Sequence, residues 1–275
     1  MYRIAAMDLD GTLLRDDKTI SQYTVDVLKK ISDQGVIILP STGRTHKELP
    51  QPVKELPFIR YALCCNGGAL YDYQQEKYIL ENAIPYELAC KVLDYVKQLP
   101  VYESVVVKGG RYAKAKENGE LNDYVSEKAV KGILFNFTPV KDVHDAFVEM
   151  HKDAQKILLY LDVERGNKEE VMNDLKAKYP QLAISSSGPL YIEVNVQGID
   201  KGKALNKFCE ILDIPITETL AFGDAENDIA MLDEADKAIV VDNGNDATKA
   251  HADIICESNN DDGVAKELAR IFLEA

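Results

Sequence analysis

Arg3-Ile4-Ala5-Ala6-Met7-Asp8-Leu9-Asp10-Gly11-Thr12 is an apolar run of strand length that ends in two carboxylates and a glycine. Side chains two apart on an extended end point the same way, so Asp8 and Asp10 are expected on one side of the strand's carboxyl end, with Gly11 letting the chain turn. Carboxylates that close repel, which raises a pKa or recruits a cation. Downstream, Ser21 opens a helix with Val25, Leu28 and Ile31 at helical spacing, and Gly35 closes it. Val36 to Leu39 is a second apolar run, ended by Pro40 and the turn Ser41-Thr42-Gly43. Tyr61 to Cys65 is a third, ended by Asn66-Gly67-Gly68. Strand, helix, strand with turn residues after each strand predicts a parallel α/β sheet. Such sheets bind ligands beyond the carboxyl ends of their strands.

The pattern returns near the C-terminus. Thr219 to Phe222, Ala238 to Val241 and Asp253 to Cys256 are strand candidates. Gly223-Asp224 follows the first of them, Glu226 to Asp233 is a helix candidate, and Gly263 to Leu273 is a final amphipathic helix. The middle differs. Pro85 to Gln98 is helical, with Leu88, Val92 and Val96 on one face. Val101 to Val107 and Arg111 to Lys116 form a hairpin around Gly109-Gly110. Val143 to Met150, Lys156 to Asp162, Asn167 to Lys178 and Tyr191 to Val196 then alternate helix with strand. The expected organisation is an α/β core, residues 1–83 and 190–275, interrupted by an α+β insert over residues 84–189.

Composition narrows the chemistry. The chain has 275 residues, 46% of them apolar and 28% charged, which suits a globular protein with its own core. Its formal net charge of -14 makes nucleic acid and anionic membranes poor partners. That surface also repels a phosphate ester, so a phosphate site must be built locally from a metal, a Lys or backbone N–H groups. The five cysteines form no CxxC pair and are expected as buried apolar residues in a reducing compartment. No signal-peptide pattern opens the chain and no apolar run reaches the ~20 residues of a membrane helix. The expectation is a cytoplasmic protein, monomeric by default. The histidines at 46, 144, 151 and 251 lack metal-binding spacing and are expected to pack or face solvent.

Four segments at strand ends or helix starts carry phosphate or metal chemistry. Asp8-Leu9-Asp10-Gly11-Thr12 supplies paired carboxylates. Ser41-Thr42-Gly43-Arg44 offers a hydroxyl followed by a backbone N–H, a pair that can hold two phosphoryl oxygens. Asp200-Lys201-Gly202-Lys203 puts a Lys at a helix start, against the usual charge preference, so a compensating anion is expected beside it. Gly223-Asp224-Ala225-Glu226-Asn227-Asp228 supplies more acids than helix capping needs. Oxygen ligands without soft ones select a hard ion, and Mg²⁺ fits best beside phosphate.

In order and content these segments resemble the four motifs of haloacid dehalogenase phosphatases, and most of all the Cof-type hydrolases. Asn66-Gly-Gly, Ala252-Asp and Asn260-Asp-Asp-Gly-Val-Ala also resemble that branch. Asp242-Asn-Gly-Asn-Asp-Ala departs from it, where a Met-Gly-Asn-Ala turn is usual. The resemblance implies a Rossmann-like core with the insert as a C2-type cap that closes over substrate and sets specificity. It implies a Mg²⁺-dependent phosphatase acting on a small phosphorylated metabolite through a phospho-aspartate. Asp8 would be the nucleophile and a metal ligand. Asp10 would protonate the leaving alkoxide, then activate water, and its backbone carbonyl would bind the metal. Thr12 would orient Asp10. Thr42 and the N–H of Gly43 would hold the phosphoryl group, with Arg44 beside them at the substrate. Lys201 would neutralise charge, Asp224 would bind Mg²⁺, Asp228 would anchor the metal shell, and Asn227 would contact phosphate. A phosphomutase on the same fold, or a phospho-accepting receiver or metabolite sensor, would use similar residues. A receiver is usually one compact domain without such an insert, and Asp10 beside Asp8 supplies the group that activates water. No segment of the insert carries a substrate motif, so sugar phosphates, phosphorylated cofactors such as flavin mononucleotide or pyridoxal phosphate, and nucleotides stand as candidates.

Overall fold

In the computed structural model of this chain, the described residues are 2–114, 137–162, 165–186 and 190–274. Ile4–Met7 (β1) is wholly buried and leads through Gln22–Asp33 (α1) to Ile37–Pro40 (β2). The Ser21 hydroxyl caps α1 by accepting from Thr24 N. After the short helix Gln51–Lys54 (α2), Tyr61–Cys64 (β3), Ala69–Asp72 (β4) and Lys77–Glu81 (β5) form an antiparallel sheet. Tyr86–Val96 (α3), Val101–Val107 (β6), Gly110–Lys114 (β7), Phe137–Val140 (β8), Val143–Met150 (α4) and Lys156–Leu161 (β9) follow. Next come Lys168–Lys178 (α5), Leu182–Ser185 (β10) and Tyr191–Val196 (β11). The chain ends with Lys201–Leu212 (α6), Thr219–Gly223 (β12), Ile229–Glu234 (α7), Lys237–Val241 (β13), Asp246–Lys249 (α8), Ile254–Cys256 (β14) and Gly263–Phe272 (α9).

Two compact units result, Met1–Glu81 with Ile199–Ala275 and Asn82–Gly198. The first is built on a parallel sheet in the order β14-β13-β12-β1-β2. Alternation sorts its strands into two faces. Ala5, Met7, Phe222 and Ile239 pack with Leu28 and Ile31 of α1 and Leu268 of α9. Ile4, Ala6, Ala221 and Val240 pack with Leu205 and Phe208 of α6 and Met231 of α7. Both faces are covered, as a parallel sheet requires. The helices therefore hold the carboxyl ends of β1, β2 and β12 side by side.

The second unit is a sheet in the order β10-β11-β9-β6-β7-β8, antiparallel except where β7 meets β8. Val92, Phe147, Ile157, Leu159, Leu175 and Ile192 form its core with α3, α4 and α5. The sequence-based limits need correction here. Tyr191–Val196 lies beyond the expected break at 189/190, yet it pairs with both β10 and β9, so the second unit extends to Gly198. Leu88 is only partly buried, and Ala89 and Leu93 join Val92 and Val96 inside. β4, β5, β8 and β10 lack long apolar runs and were not anticipated. Residues 115 and 116 of the expected hairpin lie outside the described residues. Among those residues, no helix is long and apolar enough to cross a membrane.

Asp200 caps α6, the helix that carries Lys201, by accepting from Lys203 N at 2.8 Å. Asp200→Ala is expected to lower the unfolding free energy by about 1 kcal/mol, with Asp200→Asn close to wild type. Urea unfolding of the three proteins measures this, and equal stability of the Ala variant would remove the cap from the account.

Candidate active site

Strand register assembles the site. Met7 lies beside both Pro40 and Phe222, so Asp8, Ser41 and Gly223 emerge together. Asp8 N donates to Phe222 O at 3.0 Å and Ser41 N donates to Met7 O at 2.8 Å, extending the ladder to the nucleophile candidate itself. Lys201, the first residue of α6, is 0% exposed. Its ammonium donates to Asp8 Oδ1 and to Asp228 Oδ1, each at 2.6 Å. These are the compensating anions that a Lys at the positive end of a helix calls for. Asp228 is fully buried, and its Oδ2 accepts from the backbone N–H groups of Asp224 and Ala225 at 3.0 and 3.1 Å. Both Asp228 oxygens are thus engaged, and the residue fixes Lys201 and the Asp224 loop together.

Thr12 was expected to orient Asp10. Its hydroxyl instead donates to Asp224 Oδ1 at 2.6 Å. The turn brings it there because Gly11 adopts φ +91°, and a Cβ on Gly11 would stand 2.6 Å from Asp224 Oδ2. Residues 242–247, the segment that departs from the Cof-type pattern, brace the same turn. Asn243 Nδ2 donates to Gly11 O at 2.7 Å, and Asn245 N donates to Asp224 O at 3.1 Å. Asn259 N donates to Asn243 Oδ1 at 2.9 Å and Asn259 Nδ2 to Leu14 O at 3.0 Å, tying the 8–14 loop to the C-terminal segment. The departure itself was the one sequence signal for these contacts.

Carboxylate oxygens of Asp8, Asp224 and Asp228 lie within 4.8 Å of one another. Asp8 is pushed up to about 7, by burial and by Asp228 and Asp224, against the pull of Lys201. Asp224 is pushed up to about 6, chiefly by burial, with Asp228 adding to it and the Thr12 hydroxyl opposing. Burial works against the Lys201 charge, but Asp228 and Asp8 hold its pKa above the ordinary lysine range. Three ionised carboxylates against one ammonium leave two negative charges. An all-oxygen donor set with that residual charge fits a hard divalent cation. Asp8 and Asp224 would hold it, since the Asp228 oxygens are already committed.

Asp10 behaves oppositely. Arg44 grips its carboxylate with Nε at 2.7 Å and Nη2 at 2.9 Å, and Lys18 Nζ adds a contact at 2.9 Å. Burial favours the neutral form, but these hydrogen bonds outweigh it and hold Asp10 down to about 2. The Asp10 carboxylate therefore stands ionised and apart from the three-acid cluster. Arg44, expected at the substrate, is occupied by Asp10, with a further contact from Nη1 to Glu48 O. Lys18 comes from an exposed loop and carried no sequence signal. Thr42 is buried, its hydroxyl accepting from Arg44 N at 3.2 Å. Asn227 is exposed and donates from Nδ2 to Asn66 Oδ1 at 3.4 Å. His46 packs, stacked on Tyr71 at 3.9 Å and 2.8 Å from the Tyr78 hydroxyl. All five cysteines are free thiols.

The family model of haloacid dehalogenase-like hydrolases matches residues 5–268. A 5-amino-6-(5-phospho-D-ribitylamino)uracil phosphatase of Bacillus subtilis is 28% identical over 267 residues, 97% of this chain and 94% of that protein. A pyridoxal phosphate phosphatase of Escherichia coli is 25% identical, covering 96% of each chain. A crystal structure from Thermotoga maritima superposes with a TM-score of 0.84 at 29% identity, over 98% of this chain and 97% of that one. The chain belongs to the haloacid dehalogenase-like hydrolases, in the Cof-type phosphatase branch, and is an enzyme of the phosphomonoester-hydrolase class.

The raised pKa values give a signed pH dependence. Between the unfolded carboxylate value of 3.8 and the folded values of about 6 and about 7, the folded chain keeps protons that the unfolded chain has lost. The stabilisation from Asp8 and Asp224 is complete below 3.8 and is lost as pH rises through about 7. A divalent cation held by the ionised carboxylates would offset that loss. Added Mg²⁺ is therefore expected to raise the melting temperature strongly at pH 7.5 and weakly at pH 5, and to do neither in Asp224→Asn. Thermal shift at both pH values reads this, and an equal Mg²⁺ effect in the variant would place the ion elsewhere.

Proposed function

We propose that this protein is a Mg²⁺-dependent phosphatase that hydrolyses small phosphorylated metabolites through a phospho-aspartate on Asp8. The observation that carries the proposal is the buried Lys201 ammonium shared between Asp8 and Asp228, next to Asp224, at the carboxyl ends of the core strands. Phosphoryl transfer needs in-line positioning and neutralisation of charge on the transferred oxygens. A divalent cation at Asp8 and Asp224 would supply part of that neutralisation.

Lys201 donates to Oδ1 of Asp8, so Oδ2 is the oxygen we assign to the attack on phosphorus. Attack by Oδ2 forms the acyl phosphate as the bond from phosphorus to the ester oxygen breaks. Asp10 gives a proton to the leaving alkoxide. It then takes one from the water that attacks phosphorus, releasing phosphate and restoring the Asp8 carboxylate. To hold a proton, Asp10 must first be freed from Arg44 and Lys18, and a substrate phosphate drawn to Arg44 competes for that guanidinium. Thr42, the N–H of Gly43 and Asn227 hold the phosphoryl oxygens.

We take phosphorylated cofactors and sugar phosphates as the candidate substrates; the relatives that act on pyridoxal phosphate and on 5-amino-6-(5-phospho-D-ribitylamino)uracil support the first of these. Recognition of a small metabolite also suits a surface whose net charge of -14 disfavours nucleic acid and anionic membranes. We place the enzyme in the cytoplasm, acting as a monomer. Phosphate release from a panel holding ribitylaminouracil phosphate, pyridoxal phosphate, flavin mononucleotide, hexose phosphates and nucleotides, with Mg²⁺ or with chelator, tests the proposal. Release should require Mg²⁺ and fall by about three orders of magnitude or more in Asp8→Asn, whose circular dichroism should match wild type. Near-normal turnover by that variant would refute the mechanism.

A further inference from the structure

Residues Cys65, Asn66 and Gly67, which close β3, have φ values of 55°, 53° and 95°. The left-handed region costs an L-residue roughly 1–2 kcal/mol. Asn tolerates it, but Cys has no side-chain amide to compensate. Two successive non-glycine residues stay there only where surrounding contacts over-determine them.

Those contacts run to three phosphate-site segments. Cys65 N donates to Arg44 O at 2.9 Å and Asn66 N donates to Thr42 O at 3.0 Å, so the turn is bonded to the chain on both sides of Gly43. A Cβ on Gly67 would stand 2.3 Å from Asp200 O, the carbonyl just before Lys201. The Asn66 amide lies against Gly43, its Oδ1 and Nδ2 3.1 and 3.3 Å from the point a Gly43 Cβ would occupy. Asn66 Oδ1 also accepts from Asn227 Nδ2 at 3.4 Å. One side chain thus spans the Thr42-Gly43 turn and Asn227, while its own backbone is set by Thr42 and, through Gly67, by the start of α6.

The geometry points to Asn66 as a positioning residue that fixes Gly43 and Asn227 at the spacing a phosphoryl group requires. The inference rests on the phosphatase reading above and adds a residue to that site. Asn66 acts through its two neighbours. Turning its amide away would leave the three-acid cluster and Lys201 in place but let the oxygen-binding groups drift. Misplacement of about 1 Å at such a site costs about 100-fold in rate.

Asn66→Gly is the informative variant, because glycine accepts φ near +53° without strain and removes only the side chain. Two measurements apply: binding of inorganic phosphate to the Mg²⁺-loaded protein by calorimetry, and kcat/KM on the best phosphomonoester. Asn66→Gly should bind phosphate about 10-fold more weakly and lose about 10- to 100-fold in kcat/KM, with melting temperature and the Mg²⁺-induced thermal shift unchanged. In the Asn66→Gly/Asn227→Ala double variant the losses should be clearly less than the product of the single losses. Wild-type phosphate binding and turnover in Asn66→Gly, or full additivity with Asn227→Ala, overturns the inference and leaves the phosphatase reading standing. Wild-type protein that neither binds phosphate nor hydrolyses any ester overturns both.

Discussion

An ammonium buried away from solvent needs anions beside it, and the core of this protein is organised around one. Lys201 has no solvent exposure; it sits between Asp8 and Asp228 at 2.6 Å from each. Removing one member of such a buried set costs about 3–5 kcal/mol, because the others are left uncompensated. That penalty fixes more than a local contact. Asp8 is placed by the ladder of β1 and β12, Lys201 by the cap at Asp200, and Asp228 by the turn after β12. The ion set therefore locks together three segments that are distant in sequence. Two faces of packed apolar side chains hold the sheet in the geometry that lets them meet.

The same environment drives two aspartates, two residues apart, in opposite directions. Asp8 faces burial and like charge and rises to about 7; Asp10 faces Arg44 and Lys18 and falls to about 2. Pairs of titratable groups pushed apart by their surroundings mark a division of labour in acid–base chemistry. Here the division depends on what is bound. A cation at the acid cluster would draw Asp8 into its ionised, nucleophilic form. A phosphate near Arg44 would loosen the grip that keeps Asp10 ionised. Each ligand would thus move its aspartate toward the form that the proposed reaction needs.

Much of this was legible in the sequence because parallel-sheet chemistry concentrates at strand ends. The run into Asp8, the turn after Leu39 and the turn at Gly223-Asp224 each combine a buried apolar strand with residues able to hold a phosphate or a metal, and it was their joint occurrence that carried the reading. Lys201 stood out because a Lys at a helix start is electrostatically out of place. Contacts made by loops closing on one another were hidden. Thr12 reaches Asp224 and not Asp10 because of the backbone at Gly11, and Lys18 meets Asp10 only after an exposed loop folds back. Asn66 reads as an ordinary turn residue until Gly67 is seen against the Asp200 carbonyl. In the fold, β4, β5, β8 and β10 escaped notice as short strands without a continuous apolar run. β11 was read as a strand, but its sheet partners could not be read from periodicity.

The central claim is that Asp8 carries the phosphoryl group in the course of turnover. The direct measurement is a rapid acid quench during turnover of the best substrate, followed by borohydride reduction and peptide mass spectrometry. Borohydride reduces an acyl phosphate to the alcohol, converting the aspartate to homoserine. The account predicts that conversion at Asp8 alone, dependent on both substrate and Mg²⁺. Steady turnover with Asp8 unmodified, or with the mark on Asp10 or another residue, would contradict it.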